Sequence, residues 1–136
     1  MEVKEIMTAS LETTRPEATL KEAATQMKEN DIGSLPVMQN GKLIGMVTDR
    51  DLVIRGTATG RDPGQTPVQE VMSADAICCS DEQDVKEAAR LMQDRQLRRL
   101  PVLNRENKPI GILSLGDLAR QTDAGLAGGT LQHVCM

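Results

Sequence analysis

A chain of 136 residues and 14.8 kDa, 39% apolar and 26% charged, is long enough to bury a continuous core. It contains no Phe, Tyr or Trp, so that core must be aliphatic with eight methionines as fillers, and no aromatic platform exists on which single-stranded bases could stack. The net charge of −4 is spread evenly, with eight basic and ten acidic side chains in residues 1–65 and again in 66–136, which excludes a basic nucleic-acid-binding domain. No apolar run approaches the ~18 residues of a membrane span and no signal-peptide pattern is present, so no membrane role and a cytoplasmic location are expected.

The chain opens on Val3-Lys4-Glu5-Ile6-Met7-Thr8-Ala9, followed by a short predicted strand from Leu11 to Thr14. Thr19-x-x-Glu22 then reads as a capping box ahead of an amphipathic helix whose apolar face is Leu20, Ala23, Ala24 and Met27. Strands are predicted at Leu35–Met38 and Leu43–Thr48, joined by the hairpin signal Asn40-Gly41. A short helix from Asp49 to Arg55 follows, with Gly56 as its stop, and the Gly-, Thr- and Pro-rich segment 56–67 reads as a linker.

The same order then repeats. Val68-Gln69-Glu70-Val71-Met72-Ser73-Ala74 copies the opening, Ile77 to Cys79 the first strand, and Asp84-x-x-Glu87 the capping box. The helix face becomes Val85, Ala88, Ala89 and Met92, the strands Leu100–Leu103 and Ile110–Ser114, and the last helix Leu115–Arg120. The offset is 65 residues, then 66 after one insertion near Asn107, in a polar turn where length change is tolerated best. The chain is a duplicated β-α-β-β-α unit of mixed α/β (α+β) class. Repeat 1 spans 1–60, repeat 2 spans 61–122, and 123–136 is a Gly- and Ala-rich tail expected to be flexible.

Both copies end on G-h-h-[S/T]-x-x-D, as Gly45-Met46-Val47-Thr48-Asp49-Arg50-Asp51 and Gly111-Ile112-Leu113-Ser114-Leu115-Gly116-Asp117. A hydroxyl N-cap with an acid in the first turn explains these residues structurally. Capping boxes favour Glu or Gln, however, because Asp reaches back poorly, and Asp stands here twice. A helix start with free amides suits a phosphate, and a nearby carboxylate can accept a ribose diol, so the motif also describes a nucleotide site.

The duplicated unit, the opening Val-x-x-h-Met, the Leu-Pro-Val strands and the closing motif together resemble tandem cystathionine-β-synthase (CBS) domains over residues 3–121. The resemblance implies a pseudo-twofold pair, usually a homodimer, whose clefts between repeats bind AMP, ADP, ATP, or sometimes S-adenosylmethionine or NAD, with no required cofactor. It implies one cleft holding Thr48, Asp51, Ile77, Arg98 and Arg99. A second would hold Ser114, Asp117, Glu12, Gly33, Ser34 and Arg50. The arginine pair suits a phosphate, so the first cleft is expected to bind more tightly, while Glu12 stands where the family has an apolar residue. Leu52, Val53, Ile54, Leu118 and Ala119 are expected to form the dimer face.

Neither an enzyme nor a metal centre is expected. The one histidine, His133, stands near Cys135 at the chain end, which is two ligands where a structural zinc needs four, and Cys78-Cys79 are adjacent and form no Cys-x-x-Cys. The open alternative is a ligand-free module that docks on a protein partner.

Overall fold

The computed structural model describes residues 1–9, 12–74 and 77–121. Leu11, the 123–136 tail, His133 and Cys135 lie outside the described residues. The chain forms two compact units, and their division cuts across the sequence repeat. Residues 12–74 build one unit; residues 1–9 join 77–121 in the other. Each opening segment therefore folds onto the strands of the other copy.

In the 12–74 unit, α1 (Leu20–Asn30) starts at a closed capping box. Thr19 Oγ1 accepts from the Glu22 amide at 3.1 Å, and Glu22 Oε1 accepts from the Thr19 amide at 3.2 Å. Leu20, Ala23 and Met27 are buried, whereas Ala24, expected on the same face, is exposed. Strands β2 (Ser34–Gln39) and β3 (Lys42–Thr48) form an antiparallel hairpin. Its turn puts Asn40 and Gly41 at φ of 51° and 76°, the two positive values that a tight hairpin of this twist demands. Leu35, Val37 and Val47 point into the core with Val68 and Val71. The predicted first strand is reduced to a parallel bridge from Thr14 to Val37, and Ser73 bridges Met46 on the opposite edge.

Segment 56–67 is more than a linker. The Leu20 and Lys21 amides donate to the Thr66 and Pro63 carbonyls, each at 3.0 Å. Two of the amides a helix start leaves without an internal partner are satisfied that way. The predicted helix stop also moves. A single turn α2 (Asp49–Asp51) runs into a π-helix (Leu52–Gly56) and a 3₁₀ turn (Thr57–Thr59), and Gly60 ends the run at φ 80°. Gly56 is there for space, since a Cβ would lie 2.8 Å from Leu20 Cδ1.

In the other unit, β1 (Thr8–Ala9), β4 (Cys79–Ser80), β5 (Arg99–Leu103) and β6 (Pro109–Ser114) form one sheet in the order β1-β6-β5-β4. β4 runs parallel to β5, and the other pairs are antiparallel. Helices α3 (Val85–Arg95) and α4 (Leu115–Gln121) complete it. The second expected capping box does not close. Asp84 accepts from the Lys86 amide at 2.8 Å, Glu87 does not reach back, and the chain's own first residue occupies the helix start, the Val85 amide donating to the Met1 carbonyl. Val85, Ala88, Ala89 and Met92 are all buried, against Val3, Leu100, Val102, Leu113 and Leu118.

Candidate functional site

Each G-h-h-[S/T]-x-x-D motif is a strand running into a helix. Its glycine admits the opening segment of the other copy. A Cβ on Gly45 would lie 2.6 Å from the Ser73 carbonyl oxygen, and one on Gly111 2.7 Å from that of Thr8. The hydroxyl and the acid then close a capping box, and they do so twice, against the expectation that Asp reaches back poorly. The Thr48 amide donates to Asp51 Oδ2 at 2.9 Å while Thr48 Oγ1 accepts from the Asp51 amide at 3.1 Å. Ser114 and Asp117 repeat both bonds at the same distances.

The expectation of free amides at these helix starts is corrected. In the 12–74 unit the Asp49 amide donates to the Gly33 carbonyl and the Arg50 amide to Asp49 Oδ1. In the other unit the Leu115 amide donates to the Arg98 carbonyl. At the Thr48 motif, whose first three helix amides are all taken, an anion would have to be met by side chains.

The two carboxylates differ in their second oxygen. Asp117, with its side chain 3% exposed, accepts on Oδ1 from the Thr8 hydroxyl at 3.0 Å and from the Arg120 guanidinium. The Asp51 side chain is 13% exposed, and among the described residues its Oδ1 faces only Arg55 Nε at 3.9 Å. Arg55 itself is turned to the Val71 and Met72 carbonyls. Thr8, Arg55 and Arg120 escaped the sequence reading. The two arginines were legible from i+4 and i+3 spacing to the acids, but nothing in the sequence pointed to Thr8.

The remaining candidates divide between the units. Gly33 and Ser34 lie beside Thr48, with Ser34 its register partner, and Glu12 accepts from Gln26 Nε2 at 2.8 Å. Arg50 is exposed. Ile77 packs half-buried on the core of the other unit, and Arg99 is the register partner of Ser114. Arg98 and Arg99 are both exposed, and among the described residues neither pairs with a carboxylate. Of the expected dimer face, Val53 and Ile54 are 55% and 50% exposed, but Leu118 is a core residue. A cavity of about 390 Å³ beside Val53 is lined by Leu20, Ala24, Met27, Leu52 and Pro63, with Lys21, Asp49 and Thr57 as its polar members.

Burial pushes the Cys79 thiol up to about 12 and raises Cys78 as well. Among the described residues no cluster of three His, Cys, Asp or Glu could hold a metal ion, and no helix is long and apolar enough to cross a membrane.

Comparison with known proteins agrees with this architecture. The CBS domain model matches residues 3–55 and 68–122. The CBS domain-containing protein YhcV of Bacillus subtilis (strain 168) is 44% identical over 97% of this chain and 94% of its own. The crystal structure of Hypoxic Response Protein I with two coordinated zinc ions superposes with a TM-score of 0.80 at 34% identity, covering 90% of this chain and 100% of that one. The crystal structure of CBSX2 in complex with AMP gives 0.72 at 27% identity, over 88% and 93%. The chain thus belongs to the CBS domain family, as a tandem pair of regulatory, non-catalytic modules.

Proposed function

We propose that this protein is a sensor of an adenosyl ligand of the AMP, ADP or ATP class, with Asp51 as the principal ribose acceptor. One observation carries the reading: Asp51 keeps an oxygen outside its capping box, met among the described residues only by a guanidinium 3.9 Å away, in a side chain that is 13% exposed. A ribose diol donates two hydroxyl hydrogens, and a partly desolvated carboxylate oxygen is a strong acceptor for them. Thr48 Oγ1 stands beside it as a further polar group.

The phosphate is assigned to Arg98 and Arg99. Among the described residues their forks lack carboxylate partners, and the filled amides at the Thr48 helix start leave the anion to side chains there. It is the family resemblance that assigns these arginines and Ile77 to the ligand of Thr48 and Asp51. Ser114, Asp117 and Arg50 form the weaker set. S-adenosylmethionine and NAD share the adenosyl part and are tested alongside. That a similar protein, CBSX2, has been crystallised in complex with AMP supports this ligand class.

The reading includes a homodimer formed through Val53 and Ile54, whose exposure beside an apolar cavity favours burial against a second copy. Ligand binding would act on a protein partner only through a difference in affinity between two arrangements of the modules. Thermal shift across AMP, ADP, ATP, adenosine, S-adenosylmethionine and NAD tests the ligand class. A ligand at 100 times its dissociation constant stabilises by about 2.7 kcal/mol. No shift with any of them leaves a ligand-free docking module as the function.

A further inference from the structure

We propose that Thr8 is a built-in competitor for the Asp117 site, so that the docked opening segment keeps this second site weak and links its occupancy to that segment. The inference rests on the reading of the motif acids as ribose acceptors and adds how one of them is regulated.

Both acids spend Oδ2 on their capping boxes, at 2.9 Å in each case. Oδ1 is the oxygen that the boxes leave wholly to other donors. On Asp117 that oxygen already holds the Thr8 hydroxyl and Arg120. The two donors are not equally removable. The Arg120 side chain is 64% exposed and has room to swing into water. Thr8 is fixed by its backbone, since β1 pairs with β6 at Thr8↔Ile112 and Ala9↔Gly111, and the Val3 and Lys4 amides donate to Gln83 and Asp81 carbonyls at 2.9 Å.

The other unit supplies an internal control. Ser73 occupies the place of Thr8, bridging Met46 on the equivalent strand, yet its hydroxyl does not reach Asp51. The two sites therefore differ by one intramolecular hydrogen bond from an opening segment. A ribose hydroxyl at Asp117 must replace the Thr8 hydroxyl. By linkage, anything that draws β1 off β6 strengthens ligand binding at Asp117 by the same factor as the ligand loosens β1.

The test is calorimetric titration of adenosine, which lacks a phosphate, into the full chain carrying Thr8, Thr8→Val, Thr8→Ala or Thr8→Ser. Thr8 is exposed, and folding of each variant is checked by circular dichroism. Valine and alanine are expected to raise the affinity of the weaker site about tenfold, the worth of one hydrogen bond to a charged group. Serine keeps the hydroxyl and is expected to leave that site as in the wild type, and none of the variants should change the tighter site. Unchanged weaker-site affinity in both Thr8→Val and Thr8→Ala overturns the proposal while the Asp51 assignment stands. Absence of adenosine binding in every form removes the adenosyl reading and this proposal together.

Discussion

Gly45 lies so close to Ser73 that a methyl group on its α-carbon would sit 2.6 Å from the Ser73 carbonyl oxygen. The same holds for Gly111 and Thr8 at 2.7 Å. Both glycines stand on a strand edge where the opening segment of the other copy pairs, so the glycine that begins each motif is what lets the exchange of segments happen.

Gly45→Ala and Gly111→Ala are accordingly expected to destabilise the fold by about 1–3 kcal/mol each, the usual cost of forcing one methyl into a packed site. Gly64→Ala meets only an ordinary 3.5 Å contact with Asp62 Oδ1 and should stay within about 0.5 kcal/mol of the wild type. Urea denaturation of the three variants checks the contrast.

Removing the closed capping box at α1 by Thr19→Ala should cost about 1 kcal/mol. Glu87→Ala, at the box that does not close, should cost much less, because its side chain satisfies no helix-start amide. Thermal denaturation of both variants distinguishes a working box from one suggested by spacing alone.

Much of this architecture is legible in the sequence, for a physical reason. Apolar residues at helical spacing and the Asn40-Gly41 turn act locally, so α1, α3 and the β2–β3 hairpin fall within a residue or two of expectation at most boundaries. The pairing of opening segments with strands does not. Val3–Ala9 and Val68–Ala74 are near copies, so either could pack on either glycine strand, and periodicity cannot choose between them. The candidate site splits the same way. The motif residues are legible as a set, and so are the arginines beside them, but one difference between Asp51 and Asp117 is the hydroxyl of Thr8, more than a hundred residues from the acid it touches. Gly56 misled because a glycine after a helical run signals a stop, whereas here it admits Leu20.

Leu118 and Ile54 separate core from surface. Leu118→Ala removes a side chain that is 1% exposed and should destabilise the monomeric unit by about 2–5 kcal/mol. Ile54→Asp changes an exposed residue and should leave unfolding nearly unaltered while shifting sedimentation from dimer toward monomer. A wild-type chain that sediments as a monomer at tens of micromolar would contradict the proposed dimer.

Cys79 is held as a thiol by burial. With its pKa pushed up to about 12, almost none of it is thiolate at pH 8, and the reactive form gains ground only as pH rises toward that value. Cys78 is raised in the same direction and is half-buried. Iodoacetamide at pH 8 should therefore modify Cys79 only after denaturant is added, as read by peptide mass spectrometry.

The most direct measurement is isothermal titration of AMP and of adenosine into the wild type, Asp51→Asn, Arg98→Ala, Arg99→Ala and Asp117→Asn. Asparagine is chosen because each acid also closes a capping box, and an amide oxygen still accepts from Thr48 or Ser114. The expected result is one tight site that Asp51→Asn weakens for AMP and adenosine alike. The arginine variants should weaken it at least tenfold for AMP and spare adenosine, and Asp117→Asn should leave it untouched. Loss of the tight site in Asp117→Asn, with Asp51→Asn binding as the wild type does, would contradict the account and assign the tight site to Asp117.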